Sequence, residues 1–344
     1  MNSPLLALPG AVAAPEGSPD VGVAWHHGDP LREQRAAEGA VVVVDRSHRG
    51  VLAVPGEDRL SWLHTITSQH LLALDSGAHT EALVLDLHGR VEHHTVVSHM
   101  DETVWLDTEP GRTPALLTYL QQMVFWSKVA PRDATDELAV LALLGPSTGR
   151  VLEAIGELGG FVRAYQDRAD LLVPRDELTS IWQQLLDAGA SPAGTWAYEA
   201  LRVAALHPRL GVDTDERTIP HEVGWIGPAV HLDKGCYRGQ ETVARVANLG
   251  RPPRRLVLLH LESSDTLPEP GDVVRAGGDR LVGRIGTVAV HHELGPIALA
   301  LLKRSVDPET PLVAGLAAAS VDPASLPPDT GEPPGRAALR RLRA

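Results

Sequence analysis

One cysteine, three lysines and few aromatic residues are the scarcities of this 344-residue chain, and each excludes something. The lone thiol, Cys236, rules out an intrachain disulfide and any zinc site built on two cysteines, and it suits a reducing, cytoplasmic setting. Positive charge is short as well. Lys and Arg number 31 against 44 Asp and Glu, for a formal charge of -13, so bulk attraction to nucleic acid is not expected. No apolar run approaches the roughly 20 residues of a spanning helix, which argues against a membrane protein. The first residues, Met1 to Ala14, lack a basic residue and are broken by Pro4 and Pro9, unlike a signal peptide. There is no glycine-rich phosphate loop, since Ala276-Gly277-Gly278-Asp279 reads as a hairpin turn.

What is present is an ordinary globular balance, 43% hydrophobic and 22% charged, over a length that implies two or three domains. Residues 1–39 are rich in Pro, Gly and Ala and read as a loose lead-in, apart from a short helix near Leu31 to Glu38. Val41 to Val44 and Val51 to Val54 read as two strands joined by the polar turn Asp45 to Gly50. Leu60, Leu63 and Ile66 mark a helix, and Thr80 to Asp107 reads as a three-stranded meander. Leu138 to Leu144 is a buried strand, and helices follow at Glu177 to Ala188, Trp196 to Leu206 and Glu241 to Val246. Asn248-Leu249-Gly250 is expected to stop the last of these in a left-handed conformation. Past Pro252-Pro253, short strands divided by Gly and Pro predict a small barrel. The pattern is α+β: a lead-in over 1–39, a mixed region over 40–250, a β-barrel over 251–320 and a flexible tail over 321–344.

The most informative stretch is Lys234-Gly235-Cys236-Tyr237-Arg238-Gly239-Gln240-Glu241. It gathers the single cysteine and one of three lysines within three positions, between glycines that let backbone approach closely. A lone cysteine is commonly an inert core residue, but these polar and flexible neighbours suit a core poorly. A helix starting near Gly239, together with Lys234 and Arg238, is expected to favour the thiolate, making Cys236 a functional thiol. Histidines are frequent, yet His93 and His94 are adjacent on a strand and point to opposite faces, so no metal site is assigned.

Lys234 to Glu241, continued by Thr242-Val243-Ala244-Arg245, resembles the signature of the YgfZ family, folate-binding, iron–sulfur-linked relatives of the glycine-cleavage aminomethyltransferase GcvT. Asp45-Arg46-Ser47, Val54-Pro55-Gly56-Glu57-Asp58, Leu87-His88-Gly89-Arg90, Gly145-Pro146, Pro220-His221-Glu222 and Arg254-Arg255-Leu256 agree in order. The resemblance implies a GcvT-like cloverleaf of two interleaved α+β domains, residues 40–250, and a C-terminal β-barrel. It implies tetrahydrofolate as cofactor. As partners it implies iron–sulfur proteins, including tRNA-modifying enzymes, or their assembly machinery. By the same resemblance Arg245 closes the functional motif.

Two departures bear on the chemistry. Where the aminomethyltransferases carry an aspartate pair this chain reads Gly89-Arg90-Val91-Glu92-His93-His94, and Glu92 would replace an acid only after a one-residue slip that turns it to the other face. Ala204 stands where those enzymes hold the pterin with a carboxylate, leaving Glu199 with Trp196 or Tyr198 as candidate folate contacts. The leading reading is a folate-binding accessory protein of iron–sulfur cluster assembly or repair. The rivals are a tetrahydrofolate-dependent aminomethyltransferase or demethylase using Glu92 or Asp86, and a module in which the loop is only a docking surface.

Overall fold

The computed structural model describes residues 2–262 and 266–326. In chain order the strands and helices are β1 (Val12–Ala13), β2 (Ala24–His26), α1 (Pro30–Gly39), β3 (Val42–Asp45), β4 (Gly50–Pro55), α2 (Arg59–Ile66), β5 (His79–Leu85), β6 (Val91–Met100) and β7 (Thr103–Thr108). They continue with α3 (Thr113–Gln122), β8 (Arg132–Asp133), β9 (Leu138–Leu144), α4 (Thr148–Ile155), β10 (Phe161–Ala164), β11 (Arg168–Pro174), α5 (Leu178–Asp187), β12 (Ser191–Ala193) and α6 (Thr195–Ala204). The last part holds α7 (Gln240–Leu249), β13 (Arg254–Leu261), β14 (Val273–Ala276), β15 (Arg280–His291), β16 (Gly295–Lys303), β17 (Leu312–Ala314) and β18 (Ala317–Val321). The chain forms two compact units that alternate along the sequence: unit one is Met1–Leu60, Leu74–Thr80 and Thr95–Leu201, and unit two is Ser61–Ala73, Glu81–His94 and Arg202 onward.

One five-stranded sheet has the order β10-β11-β9-β3-β12, and a second the order β5-β6-β7-β4-β8. β3 is buried on both faces, which is why its three valines, Val42 to Val44, follow one another without alternation. Val41 and Val43 pack with Leu141, Trp182 and Leu185, and Val42 and Val44 with Ala193 and Ala197. The two valine strands do not form the hairpin that their spacing suggests. β3 pairs with β9 and β12, and β4 pairs with β7 and β8. The four polar residues between them, Arg46 to Arg49, form a connector in which Arg46, Ser47 and Arg49 are buried, with Asp45 accepting from the Ser47 amide at 2.9 Å.

Residues 2–39 hold ordered elements rather than a loose lead-in. Leu5, 1% exposed, belongs to the core cluster of Val41, Val43 and Leu141. The Ser3 amide donates to Gly22 O at 2.7 Å, and β1 pairs with β2. Asp29 caps α1 by accepting from the amides of Leu31 and Arg32. Buried Glu33 accepts from the amides of His27 and Gly194. Such docking uses single apolar side chains against a core supplied by other segments, so it leaves no periodic pattern to read. Leu5→Ala is therefore expected to cost about 2–5 kcal/mol in urea unfolding. Unchanged stability would show that the segment is not docked.

In unit two a closed, all-antiparallel barrel has the order β13-β16-β15-β14-β17-β18. Alternate residues of its strands, such as Val257, Leu259 and Leu261 on β13 and Ala298, Ala300 and Leu302 on β16, fill its core. β17 and β18 escaped the sequence reading, and the barrel extends past residue 320. Val321 is buried in β18, and a turn at Pro323–Ser325 follows. The rest of the expected tail, 327–344, lies outside the described residues. No helix among the described residues is long and apolar enough to cross a membrane.

Candidate functional site

The octapeptide signature folds as a loop leading into α7, and unit two braces it at three points. The first is Lys234. Its side chain is buried at the C-terminal end of α2, where Nζ donates to the carbonyls of His64, Thr67 (2.6 Å) and Gln69 (3.1 Å). Helix ends leave carbonyls without intrahelical donors, and an ammonium has three N–H groups to meet three acceptors. Burial pushes this ammonium down to about 8. The backbone carbonyl of Lys234 in turn accepts from Gln240 Nε2 at 3.1 Å, closing the loop.

The second brace is a contact between two glycines. Gly239 has φ +82° and serves as the N-cap of α7, and Gly89, at φ +76°, lies in the turn between β5 and β6. A Cβ on Gly239 would stand 2.5 Å from Asp86 O and 2.9 Å from Gly89 Cα. A Cβ on Gly89 would stand 2.9 Å from Thr242 Cβ. Both the positive φ and the close approach require glycine here. Asp86 shapes that turn, its Oδ1 accepting from the amides of His88 and Arg90, both at 2.8 Å. The third brace is Arg238, whose guanidinium forms a two-pronged ion pair with Glu92 at 2.9 and 3.3 Å.

At the tip of this loop Cys236 is exposed, next to a buried Tyr237. Both cations expected to act on the thiol have bonded partners of their own: Lys234 the carbonyls of His64, Thr67 and Gln69, and Arg238 the Glu92 carboxylate. Glu241 lies in the first turn of α7, and it and Arg245 are exposed. α7 ends at Gly250 in extended backbone, φ -125°, rather than in the expected left-handed turn.

Sequence reasoning missed the histidines beside Lys234. The rings of His64 and His70 lie 4.8 Å apart, and those of His70 and His231 5.4 Å. Burial lowers the pKa of His64, and Lys234, His70 and His231 add to the effect. His94, by contrast, stacks on Trp225 and bonds Glu81. Buried Asp213 ties the 207–214 segment to the barrel, accepting from Arg202 Nη1, the Arg209 amide and the Thr287 amide at a bulge in β15. In unit two, the hydroxyl of buried Tyr237 and both solvent-shielded ring nitrogens of half-buried His221 have no hydrogen-bond partner among the described residues.

The candidate folate contacts lie in unit one, on α6. Trp196 packs its ring on Trp25 at 5.5 Å, and Tyr198 holds Arg46, which lies 4.0 Å over its ring and donates to its hydroxyl. Two residues apart on a helix, these aromatics point away from each other. Glu199 is buried. Unit one also holds a charge network with no motif to announce it, in which Asp107 on β7 receives Arg49 Nε at 2.6 Å and contacts Arg163 of β10.

Residues 23–159 match the model of the GCVT N-terminal domain. The crystal structure of the glycine cleavage system aminomethyltransferase T from Bartonella henselae superposes with a TM-score of 0.81, at 18% identity, over 92% of this chain and 94% of that one. The chain has the aminomethyltransferase fold. Among sequence relatives, the "Putative transferase At1g60990, chloroplastic" of Arabidopsis thaliana is 27% identical over 273 residues, 73% of this chain. That match spans 62% of the Arabidopsis protein, less than two thirds of its length. The aminomethyltransferase of Methylococcus capsulatus is 27% identical over 285 residues, 76% of each chain.

Proposed function

We propose that this GcvT-related chain is a folate-binding accessory protein that supports iron–sulfur enzymes through Cys236. The observation that carries the reading is an exposed thiol at the tip of a loop fixed at three points, a geometry that presents one sulfur to a partner while the surroundings stay rigid. Against the transferase alternative stands Glu92. It is the nearest substitute for the missing acid pair, and Arg238 occupies it. A single thiolate cannot hold a four-ligand cluster alone, so any cluster would take its other ligands from a partner. Folate, which the fold implies, offers hydrogen-bonding groups that fit buried polar atoms left unpaired in unit two.

Two experiments test the reading. In cells lacking the protein, Cys236→Ala and Cys236→Ser are expected to fail to restore the activity of cluster-dependent enzymes, because a hydroxyl does not bind soft iron as a thiolate does. Full complementation by the alanine variant would sink the thiol role. Calorimetry of the purified chain is expected to show binding of a reduced folate, without turnover of methylamine donors. Turnover would instead establish the transferase.

A further inference from the structure

Tyr237 and His221 are anomalous in a well-bonded part of unit two. Tyr237 is 8% exposed, and its Oη has no hydrogen-bond partner among the described residues. Its ring is held in place, 5.2 Å from the Lys234 ammonium. His221 sits in the turn Pro220–Glu222, which packs on α7. That turn is fixed by its neighbour Glu222, which accepts from the Ile219 amide at 3.2 Å and from Arg254 at 2.8 and 2.9 Å. The imidazole itself makes no hydrogen bond, and both of its nitrogens are shielded from solvent. Burial pushes the Tyr237 phenol up to about 12 and His221 down to about 4, so both side chains are neutral near pH 7. Each then offers one donor and one acceptor. Buried polar groups in folded proteins are almost always paired, so bare ones on a rigid backbone call for a partner.

We infer that Tyr237 and His221 are ligand-binding residues whose buried polar atoms hydrogen-bond a neutral, heteroaromatic small molecule carrying both donors and acceptors. The inference rests on the folate reading above and deepens it: the pterin of a reduced folate has this chemistry. The signature loop then has two working positions side by side, a thiol open to solvent at Cys236 and a ligand contact buried at Tyr237.

The sign of one substitution separates this from a structural role. Tyr237→Phe deletes only the hydroxyl. If that group is unpaired in the free protein, the variant melts at the same or a higher temperature, because a buried unmet polar atom has been removed. If the hydroxyl serves the fold, the variant melts lower. Titration calorimetry of the full chain with 5-formyltetrahydrofolate is expected to show about tenfold weaker binding for Tyr237→Phe, and similarly for His221→Leu, corresponding to about 1.4 kcal/mol. Affinity within twofold of wild type in both variants, or a lower melting temperature for ligand-free Tyr237→Phe, overturns the inference and leaves the folate reading standing. Absence of binding by the wild-type chain at millimolar folate overturns both.

Discussion

Asp107→Ala is expected to destabilise the protein by about 3–5 kcal/mol, the range seen when one partner of a buried ion pair is removed. Asp107 is 1% exposed on β7. It accepts from Arg49 Nε at 2.6 Å and contacts the guanidinium of Arg163, also 1% exposed, on β10 of the other sheet. Arg49 has a second acceptor in Glu109. Among the described residues Arg163 is left only with the Asp170 carboxylate at 3.8 Å, so the alanine variant strands a buried charge. The same pair predicts an acid limb. Burial by itself would raise the Asp107 carboxyl, but Arg163 and Arg49 outweigh it and hold the group below its ordinary range. A folded-state pKa below the unfolded value of about 3.9 means the contribution is complete above that value and is lost as pH falls through the folded one. Urea unfolding at pH 7 and pH 3 checks both parts. The wild-type advantage over Asp107→Ala should be large at pH 7 and shrink toward pH 3. Equal stability at pH 7 would remove the network from any role in holding the two sheets.

Lys234→Met is expected to cost about 2–4 kcal/mol and to free the Cys236 loop, since hydrogen bonds to a charged donor contribute about 1.5–3 kcal/mol and buried bare acceptors are costly. Methionine matches the length of the side chain but leaves the carbonyls of His64, Thr67 and Gln69 without their donor. Loss of that brace leaves Arg238 and the glycine contact to position the loop. Hydrogen exchange of amides 232–240, compared with those of β16, is the measurement. Faster exchange confined to the loop supports the brace, and unchanged protection would show that the α2 carbonyls do not anchor it. Under the proposed function, complementation of cluster-dependent enzymes should fall with it, although the thiol remains.

Periodicity revealed β3, β9 and the helices because their burial is set by a local face: three consecutive valines in β3, a run of seven apolar residues in β9. The same logic failed for Leu5, whose partners lie on β3, β9 and α5, and for β18, where Ala317 to Ser320 carries little strand propensity and is held by pairing with β13 and β17. Local pattern also suggested that β3 and β4 pair with each other, although the decision belonged to the strands that flank them. The sequence offers Trp196 and Tyr198 as alternative aromatic neighbours of Glu199, and helical geometry points the two rings apart.

The sequence alone singled out Lys234 to Glu241 as the candidate functional stretch, because a rare cysteine, a rare lysine and two glycines seldom fall together within eight positions. It also determined the order of the longer strands and helices, which depends on spacing along the chain. Only the tertiary structure decided what each of those residues does: Lys234 faces the end of α2, Arg238 faces Glu92, Gly239 meets Gly89, and Tyr237 is buried while Cys236 is exposed. Those partners lie between about 146 and 170 residues away in sequence. Charge and hydrogen bonding act through space over a few ångströms, so no local pattern could tell a cation that activates a thiol from one that fastens a loop.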